Sequence, residues 1–252
     1  MSDLFSLHGR AALVTGASRG LGAAIAVGLA EAGADVAAHG NSRSPEDTCR
    51  RIRTLGRRAL PVVGDLADPA TPDRLIRETL EGLGGLDALV NNAGTIRRGP
   101  AAETTDEDWR AVVEVNLDAV FRLCRAAGRH MLAAGHGKIV NVASLLSFQG
   151  GITVPAYAAA KGGVAQLTKA LANEWAARNV HVNAIAPGYM RTDNTAALQA
   201  DPTRSRQILE RIPAGRWGEP KDLVGAAVFL CSAASDYVHG HVLAVDGGWL
   251  GR

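Results

Sequence analysis

Apolar positions along the chain come in short unbroken runs, separated by longer stretches with helical spacing. The runs cover residues 11–14, 35–38, 59–63, 86–90, 138–142, 180–185 and 242–245. Runs this short, without polar alternation, predict strands buried on both faces, as in a parallel sheet covered by helices. Between them, the periodicity predicts helices near 20–32, 45–55, 71–83, 106–133, 156–178 and 220–231. Regular strand-then-helix order implies right-handed crossovers. The expected fold is therefore α/β: a Rossmann-like three-layer α/β/α sandwich around a doubly wound, seven-stranded parallel sheet. No linker, repeat or low-complexity segment divides the chain, so residues 1–252 read as a single domain.

One stretch, 189–216, breaks the rhythm. It is polar, contains Pro202 and Pro213, and joins a strand to the last helix. Ligands of open parallel sheets sit beyond the carboxyl ends of the strands. A long insertion at such an edge reads as a substrate lid rather than an idle surface excursion.

Composition narrows the class without naming a chemistry. The chain is 47% hydrophobic and 21% charged, and its net charge of +2 comes from 27 basic and 25 acidic residues spread along the sequence. With no basic run, nucleic acid is not an expected partner. No apolar run approaches the roughly 18 residues that span a bilayer, so no membrane partner is expected either. Residues 1–10 lack an apolar signal core, which points to the cytoplasm. Cys49, Cys124 and Cys231 are widely separated, without metal-ligand spacing, and read as buried reduced thiols.

Chemistry enters with the segment Thr15-Gly16-Ala17-Ser18-Arg19-Gly20-Leu21-Gly22, which follows the first strand and opens the first helix. A helix N-terminus offers unpaired N–H groups and partial positive charge, which suits a pyrophosphate. Glycines let the backbone turn tightly and approach that ligand. Gly16, Ser18, Arg19, Gly20, Leu21 and Gly22 are accordingly candidate dinucleotide contacts. At later strand ends, Asp65 with Leu66 is placed to meet an adenine amino group, unless Asp65 only shapes a turn. Asn92, Ala93 and Gly94 are placed beside the ribose, with Asn91 as a brace. The end of the second strand reads Ala38-His39-Gly40-Asn41-Ser42-Arg43, with no carboxylate to select NAD by gripping a ribose 2′-hydroxyl. Asn41 is a candidate contact there, and Arg19 and Arg43 can hold a 2′-phosphate. That chemistry leans toward NADP.

Tyr157 and Lys161 stand four residues apart at the start of a helical stretch and so share one face. A phenol with pKa near 10 must fall roughly three units to act as a base near neutrality, which is about 4 kcal/mol. One cation about 4 Å away, at an effective dielectric near 20, supplies about 4 kcal/mol. Ser144, just past the strand 138–142, is placed to hydrogen-bond a reacting oxygen. Asn116 is an amide in an apolar stretch, and a water relaying protons to Lys161 would satisfy it.

The glycine loop, Asn91-Asn92-Ala93-Gly94, Asn116, Ser144, Tyr157, Lys161 and Pro187-Gly188 with Thr192 together resemble the short-chain dehydrogenase/reductase family, over essentially the whole chain. The resemblance implies a catalytic tetrad of Asn116, Ser144, Tyr157 and Lys161. It implies Lys161 on the nicotinamide ribose, Thr192 at the carboxamide, and Pro187 and Gly188 beside the cofactor. It also implies a homotetramer built by pairing helices such as 106–133 and 156–178. Further stretches look closer to a subgroup acting on keto-deoxy sugar acids such as 2-dehydro-3-deoxy-D-gluconate: residues 96–98, 145–151, 186–190 with Asn194 and Thr195, and 211–218. An anionic sugar suits Arg97 and Arg98 as charge-assisted partners. Gln149 is then expected at its hydroxyls and Met190 nearby, alongside Ser144 and Tyr157. That subgroup resembles NAD users, against the lean toward NADP, so either NAD(H) or NADP(H) is the expected cofactor. Arg191 and Asp193 give the lid more charge than the subgroup leads one to expect. Two alternatives stand beside this reading: a 3-oxoacyl-carrier-protein reductase, which shares the tetrad, and a non-catalytic cofactor-binding scaffold.

Overall fold

Seven strands form one parallel sheet: β1 (Ala11–Val14), β2 (Asp35–Gly40), β3 (Ala59–Val63), β4 (Ala88–Asn91), β5 (Gly137–Val142), β6 (Val180–Pro187) and β7 (Val242–Val245), in a computed structural model that describes residues 3–252. Met1 and Ser2, part of the stretch read for a signal sequence, lie outside the described residues. The strand order is β3-β2-β1-β4-β5-β6-β7, so the direction of winding reverses between β1 and β4. Crevices for ligands open at such a switch point.

All seven expected strands are present, with shifted ends. The fourth begins at Ala88, just after Asp87, whose N–H donates to Ala11 O and whose C=O accepts the Lys138 N–H, while its carboxylate accepts the Ala11 N–H at 2.8 Å and pairs with Arg10 at 2.8 Å. The second runs on to Gly40, with His39 paired beside Val62 and Gly40 beside Val63.

Successive strand residues feed opposite layers. Ala11 and Leu13 join the core beneath α3 (Thr71–Leu83), α5 (Ala119–Ala134) and α6 (Pro155–Trp175). Ala12 and Val14 join the core beneath α1 (Gly20–Glu31), α2 (Glu46–Thr54) and the last long helix, Val224–Cys231. The expected helix 106–133 is interrupted. It starts as α4 (Asp106–Val113), capped by Thr105, whose hydroxyl accepts the Asp108 N–H at 3.1 Å. It passes through a π-helical turn at Glu114–Asp118 and resumes as α5.

The polar insertion folds more than its sequence suggests. It contains two short helices, α7 (Ala196–Ala200) and α8 (Pro202–Leu209), and the Val224–Cys231 helix is therefore α9. Asp201 caps α8 by accepting the Thr203 and Arg204 N–H groups at 2.9 and 3.0 Å. A third apolar cluster joins Ile208, Ile212 and Trp217 of this region to Leu145 and to Trp249 near the C-terminus.

Cys49, Cys124 and Cys231 are free and buried, and burial pushes their thiols up to about 11, 12 and 12. Thiols held protonated in this way are poor nucleophiles. Among the described residues, no helix is long and apolar enough to cross a membrane.

Candidate active site

Beyond β1 the chain enters the glycine loop, and Thr15 fixes its start. The Thr15 hydroxyl accepts the Asn92 and Ala93 N–H groups at 3.0 and 3.1 Å, while the Asn92 side-chain amide donates to Thr15 O at 2.9 Å and Gly16 O at 3.2 Å. Asn92, expected beside a ribose, thus braces the loop after β1. Asn91 braces the sheet by donating to Asn141 Oδ1 at 2.8 Å. Gly16 has φ 64°, and a Cβ at Gly22 would stand 2.3 Å from Gly16 O, so the loop and the first turn of α1 approach closer than any other residue permits. No side chain caps the N-terminus of α1, and its N–H groups border a cleft of about 800 Å³. An anion fits there.

Gly16, Ser18, Arg19, Gly20, Leu21, Gly22, Asn41, Asp65, Leu66, Asn92, Ala93 and Gly94 all line this cleft, as do Pro187, Gly188 and Thr192 on its far side. The two arginines expected near a 2′-phosphate differ. Arg19 is paired with Asp193 at 2.5 Å, whereas Arg43 makes no ion pair among the described residues. Asp65 accepts the Ala67 N–H at 2.9 Å, a turn-shaping bond, while remaining exposed at the cleft.

The sequence reading assigned His39 no role, yet it joins two of these loops. The Gly16 N–H donates to its Nδ1 at 3.2 Å, and its Nε2 lies 2.9 Å from Gly64 O. A backbone donor at Nδ1 requires the proton on Nε2, so the neutral ring satisfies both loops at once. The ring is buried, and burial holds its pKa below the usual histidine value. A histidine at the inner end of an apolar strand was the available signal.

Ser144, Tyr157, Lys161 and Asn116 border the same cleft, and Ser144 and Tyr157 also line a second cavity of about 430 Å³. The electrostatic expectation for Tyr157 is not met by protein groups alone. The Lys161 ammonium donates to Val142 O at 2.6 Å and lies 5.6 Å from the centre of the Tyr157 ring. Burial pushes the phenol above its ordinary value, with Ser144 and then Arg98 pulling it down, and lowers Lys161 to about 8. A strand carbonyl holds the cation, with no hydrogen bond to the phenol. Ser144 Oγ accepts the Leu146 N–H at 3.1 Å, and the Ser147 hydroxyl donates to Lys161 O at 2.7 Å, tying the serine loop to α6.

Asn116 also departs from expectation. It is fully buried, and its amide donates to Thr95 O and Val112 O, both at 2.8 Å, while Oδ1 accepts the Thr95 N–H at 3.3 Å. Backbone groups thus hold its side-chain amide. The π-turn that carries it is the kind of irregularity often found at functional positions.

Of the expected substrate contacts, Arg98 lines the second cavity beside Ser144 and Tyr157. Arg97 turns to the first cleft and lies 3.7 Å from Asp108. Met190 also lines the first cleft, packed against Gly218. Gln149 lines neither: Trp249, a hundred residues on, donates to its Oε1 at 3.4 Å and turns it away. The extra charges of the 189–216 segment are paired, Arg191 to Glu219 at 3.1 Å and Asp193 to Arg19. Arg204 of α8, absent from the sequence reading, lines the second cavity.

Comparison with known proteins agrees with this layout. A family model described as enoyl-(acyl carrier protein) reductase matches residues 16–250. A 2-dehydro-3-deoxy-D-gluconate 5-dehydrogenase of Escherichia coli (strain K12) is 53% identical over 253 residues, covering 98% of each chain. Among solved structures, a candidate 2-deoxy-D-gluconate 3-dehydrogenase from Agrobacterium tumefaciens, with bound NADP, is 56% identical with TM-score 0.94, covering all of both chains. A gluconate 5-dehydrogenase from Burkholderia cenocepacia J2315, in complex with NADP and tartrate, is 44% identical with TM-score 0.94, covering 99% of this chain and 98% of that one.

Proposed function

The chain belongs to the short-chain dehydrogenase/reductase family, NAD(P)-dependent oxidoreductases of CH–OH groups, and we propose that it interconverts a hydroxyl and a keto group on a sugar acid such as 2-dehydro-3-deoxy-D-gluconate, using NADP(H). The observation that carries this reading is the meeting of two cavities at Ser144 and Tyr157. One is bordered by the open N-terminus of α1, and the other holds two arginines and no carboxylate. Support for the phosphorylated cofactor comes from the acid-free end of β2, unpaired Arg43, and the NADP bound in two similar structures.

When bound, the nicotinamide supplies or accepts the hydride. The remaining steps fall to protein groups. In reduction, Ser144 Oγ holds the carbonyl oxygen, stabilising the charge that grows on it, and the Tyr157 phenol delivers the proton that completes the alcohol. In oxidation, the Tyr157 phenolate takes the hydroxyl proton as the hydride leaves carbon. Lys161, held by Val142 O, supplies positive charge near the ring and would hold the nicotinamide ribose. Asn116 fixes the Thr95 segment at the edge of the cleft and so shapes it from behind. Arg98 meets the substrate's polar end, and the 189–216 segment acts as lid to a single catalytic domain.

In the assembly we propose a homotetramer, supported by Trp109 and Phe121, each 42% exposed on α4 and α5. A cytoplasmic location is supported by free, buried thiols.

The reading is tested with purified protein and a panel of keto sugar acids, neutral ketoses and 3-oxoacyl thioesters, each with NADPH and NADH. Sugar-acid turnover with a preference for NADPH is expected. Thioester reduction without sugar-acid turnover would overturn it in favour of an acyl-carrier-protein reductase.

A further inference from the structure

The second cavity carries an unbalanced charge. Its lining includes Arg98 and Arg204 and no aspartate or glutamate. Neither arginine forms an ion pair among the described residues, in a chain where arginines on many elements do. The contrast is sharpest within α8. Arg206, two residues on, is exposed and lies 3.9 Å from Glu210. Arg204 is half-buried, and its side-chain partner is the neutral Gln207 Oε1 at 3.2 Å. Arg98 is exposed and Arg204 half-buried, and a carboxylate entering the cavity meets guanidinium donors with no competing acidic side chain in the lining.

The two arginines reach the cavity from different segments of the chain. Arg98 follows β4, close enough to act on the Tyr157 phenol. Arg204 reaches the cavity from the lid, on a helix fixed by the Asp201 cap and by buried Ile208. With the reacting carbon held at Ser144 and Tyr157, the carboxylate of a sugar acid extends away from the reacting end, toward the lid.

We infer that Arg204 is the anchor for the substrate carboxylate, so that an acid, and not its neutral analogue, pins the lid helix over the cavity. This rests on the proposed sugar-acid activity and adds the residue that selects the acid. Selection then shows mainly in KM, because the contact is remote from the reacting atoms and is made equally in ground and transition states.

The test compares Arg204→Gln, Arg204→Lys and the exposed-face variant Arg206→Gln with the wild type, using a keto sugar acid and its methyl ester. Arg204→Gln should raise KM for the acid about 10- to 100-fold, the factor for losing a hydrogen bond between charged groups. It should leave KM for the ester, and the Kd for NADPH, within about twofold. Arg204→Lys should recover part of the loss, and Arg206→Gln should change neither substrate. Equal effects on acid and ester, or no effect on either, would overturn the inference. A second arm needs no turnover: gluconate should slow backbone hydrogen exchange across 196–209 in wild type and not in Arg204→Gln. If sugar acids prove not to be substrates but gluconate still protects the lid through Arg204, the anchor stands and the proposed activity fails. Equal protection in both proteins removes the anchor while leaving the activity intact.

Discussion

Lys161 makes no hydrogen bond to the phenol of Tyr157: its ammonium sits 5.6 Å from the ring centre and is bonded to Val142 O at 2.6 Å. The pair therefore works through space, with the cation anchored to the end of β5. Burial raises the phenol and lowers Lys161 to about 8, so each disfavours its charged form. Tyr157→Phe should keep NADPH affinity while losing about 100- to 10,000-fold in turnover, the range for removing one general acid–base. Near-normal rates in steady-state assays would exclude the role.

The same relationship predicts a pH asymmetry. Alcohol oxidation consumes the phenolate and should rise with pH. Ketone reduction consumes the protonated phenol and should stay flat through neutrality. Above about 8 the Lys161 proton leaves, so reduction should then decline as the supporting charge is lost. Pre-steady-state pH profiles in both directions check this, and parallel profiles would contradict it.

His39 ties the glycine loop to the end of β3 through Gly16 and Gly64. His39→Ala removes the partner of a part-buried N–H and a part-buried C=O, at up to about 1–3 kcal/mol for each group left unsatisfied. A loss of about 2 kcal/mol or more in urea unfolding is expected, with weaker NADPH binding measured by fluorescence. A variant as stable as wild type would show that the two loops hold themselves.

Much of this architecture is legible in the amino-acid pattern because the strands are buried on both faces, and runs such as Ala11–Val14 admit no other reading. Tyr157, Lys161 and Ser144 were readable because helical spacing and a strand end place them. What escaped depends on partners distant in sequence. Asn116 finds Thr95 across 21 residues, and Gln149 finds Trp249 across 100. The lid shows no helical periodicity of its own. Its helices stand on the Asp201 cap and on an apolar cluster shared with Leu145 and Trp249, and that is why Arg204 could not be placed beforehand.

His181 offers a test of stability. It is buried at the start of β6, stacked on His239 with ring centres 4.6 Å apart, and its Nδ1 has no partner. Burial, then the charges of Lys138 and His239, depress its pKa from 6.5 to about 4, against a smaller pull from Asp236. Between those values the unfolded chain binds a proton that the folded chain refuses, so stability must fall as pH falls through that window. The loss is roughly 3 kcal/mol at most from this group. His181→Asn should flatten the acid limb of a urea-midpoint profile; an unchanged limb would place the acid sensitivity elsewhere, His39 being the next group to examine.

The proposed site of cofactor selection lies where β2 ends, and the geometry dictates which position can be altered. A Cβ at Gly40 would stand 2.2 Å from Arg43 O and 2.4 Å from Ser18 Oγ, both part of the turn that shapes the cleft. An acid introduced there would wreck the site rather than retune it. Asn41 is exposed and borders the same cleft, so Asn41→Asp puts a carboxylate near the ribose without that collision. It should repel a 2′-phosphate and accept a 2′-hydroxyl, weakening NADPH by about tenfold or more while leaving NADH equal or improved. Arg43→Ala should weaken NADPH alone, because an unpaired arginine has only the phosphate to lose. Binding titrations of both cofactors against both variants separate these outcomes. A parallel loss of NADH and NADPH in Asn41→Asp would mean that the adenosine ribose lies elsewhere in the cleft, and that the absence of an acid after β2 carries no information about the cofactor.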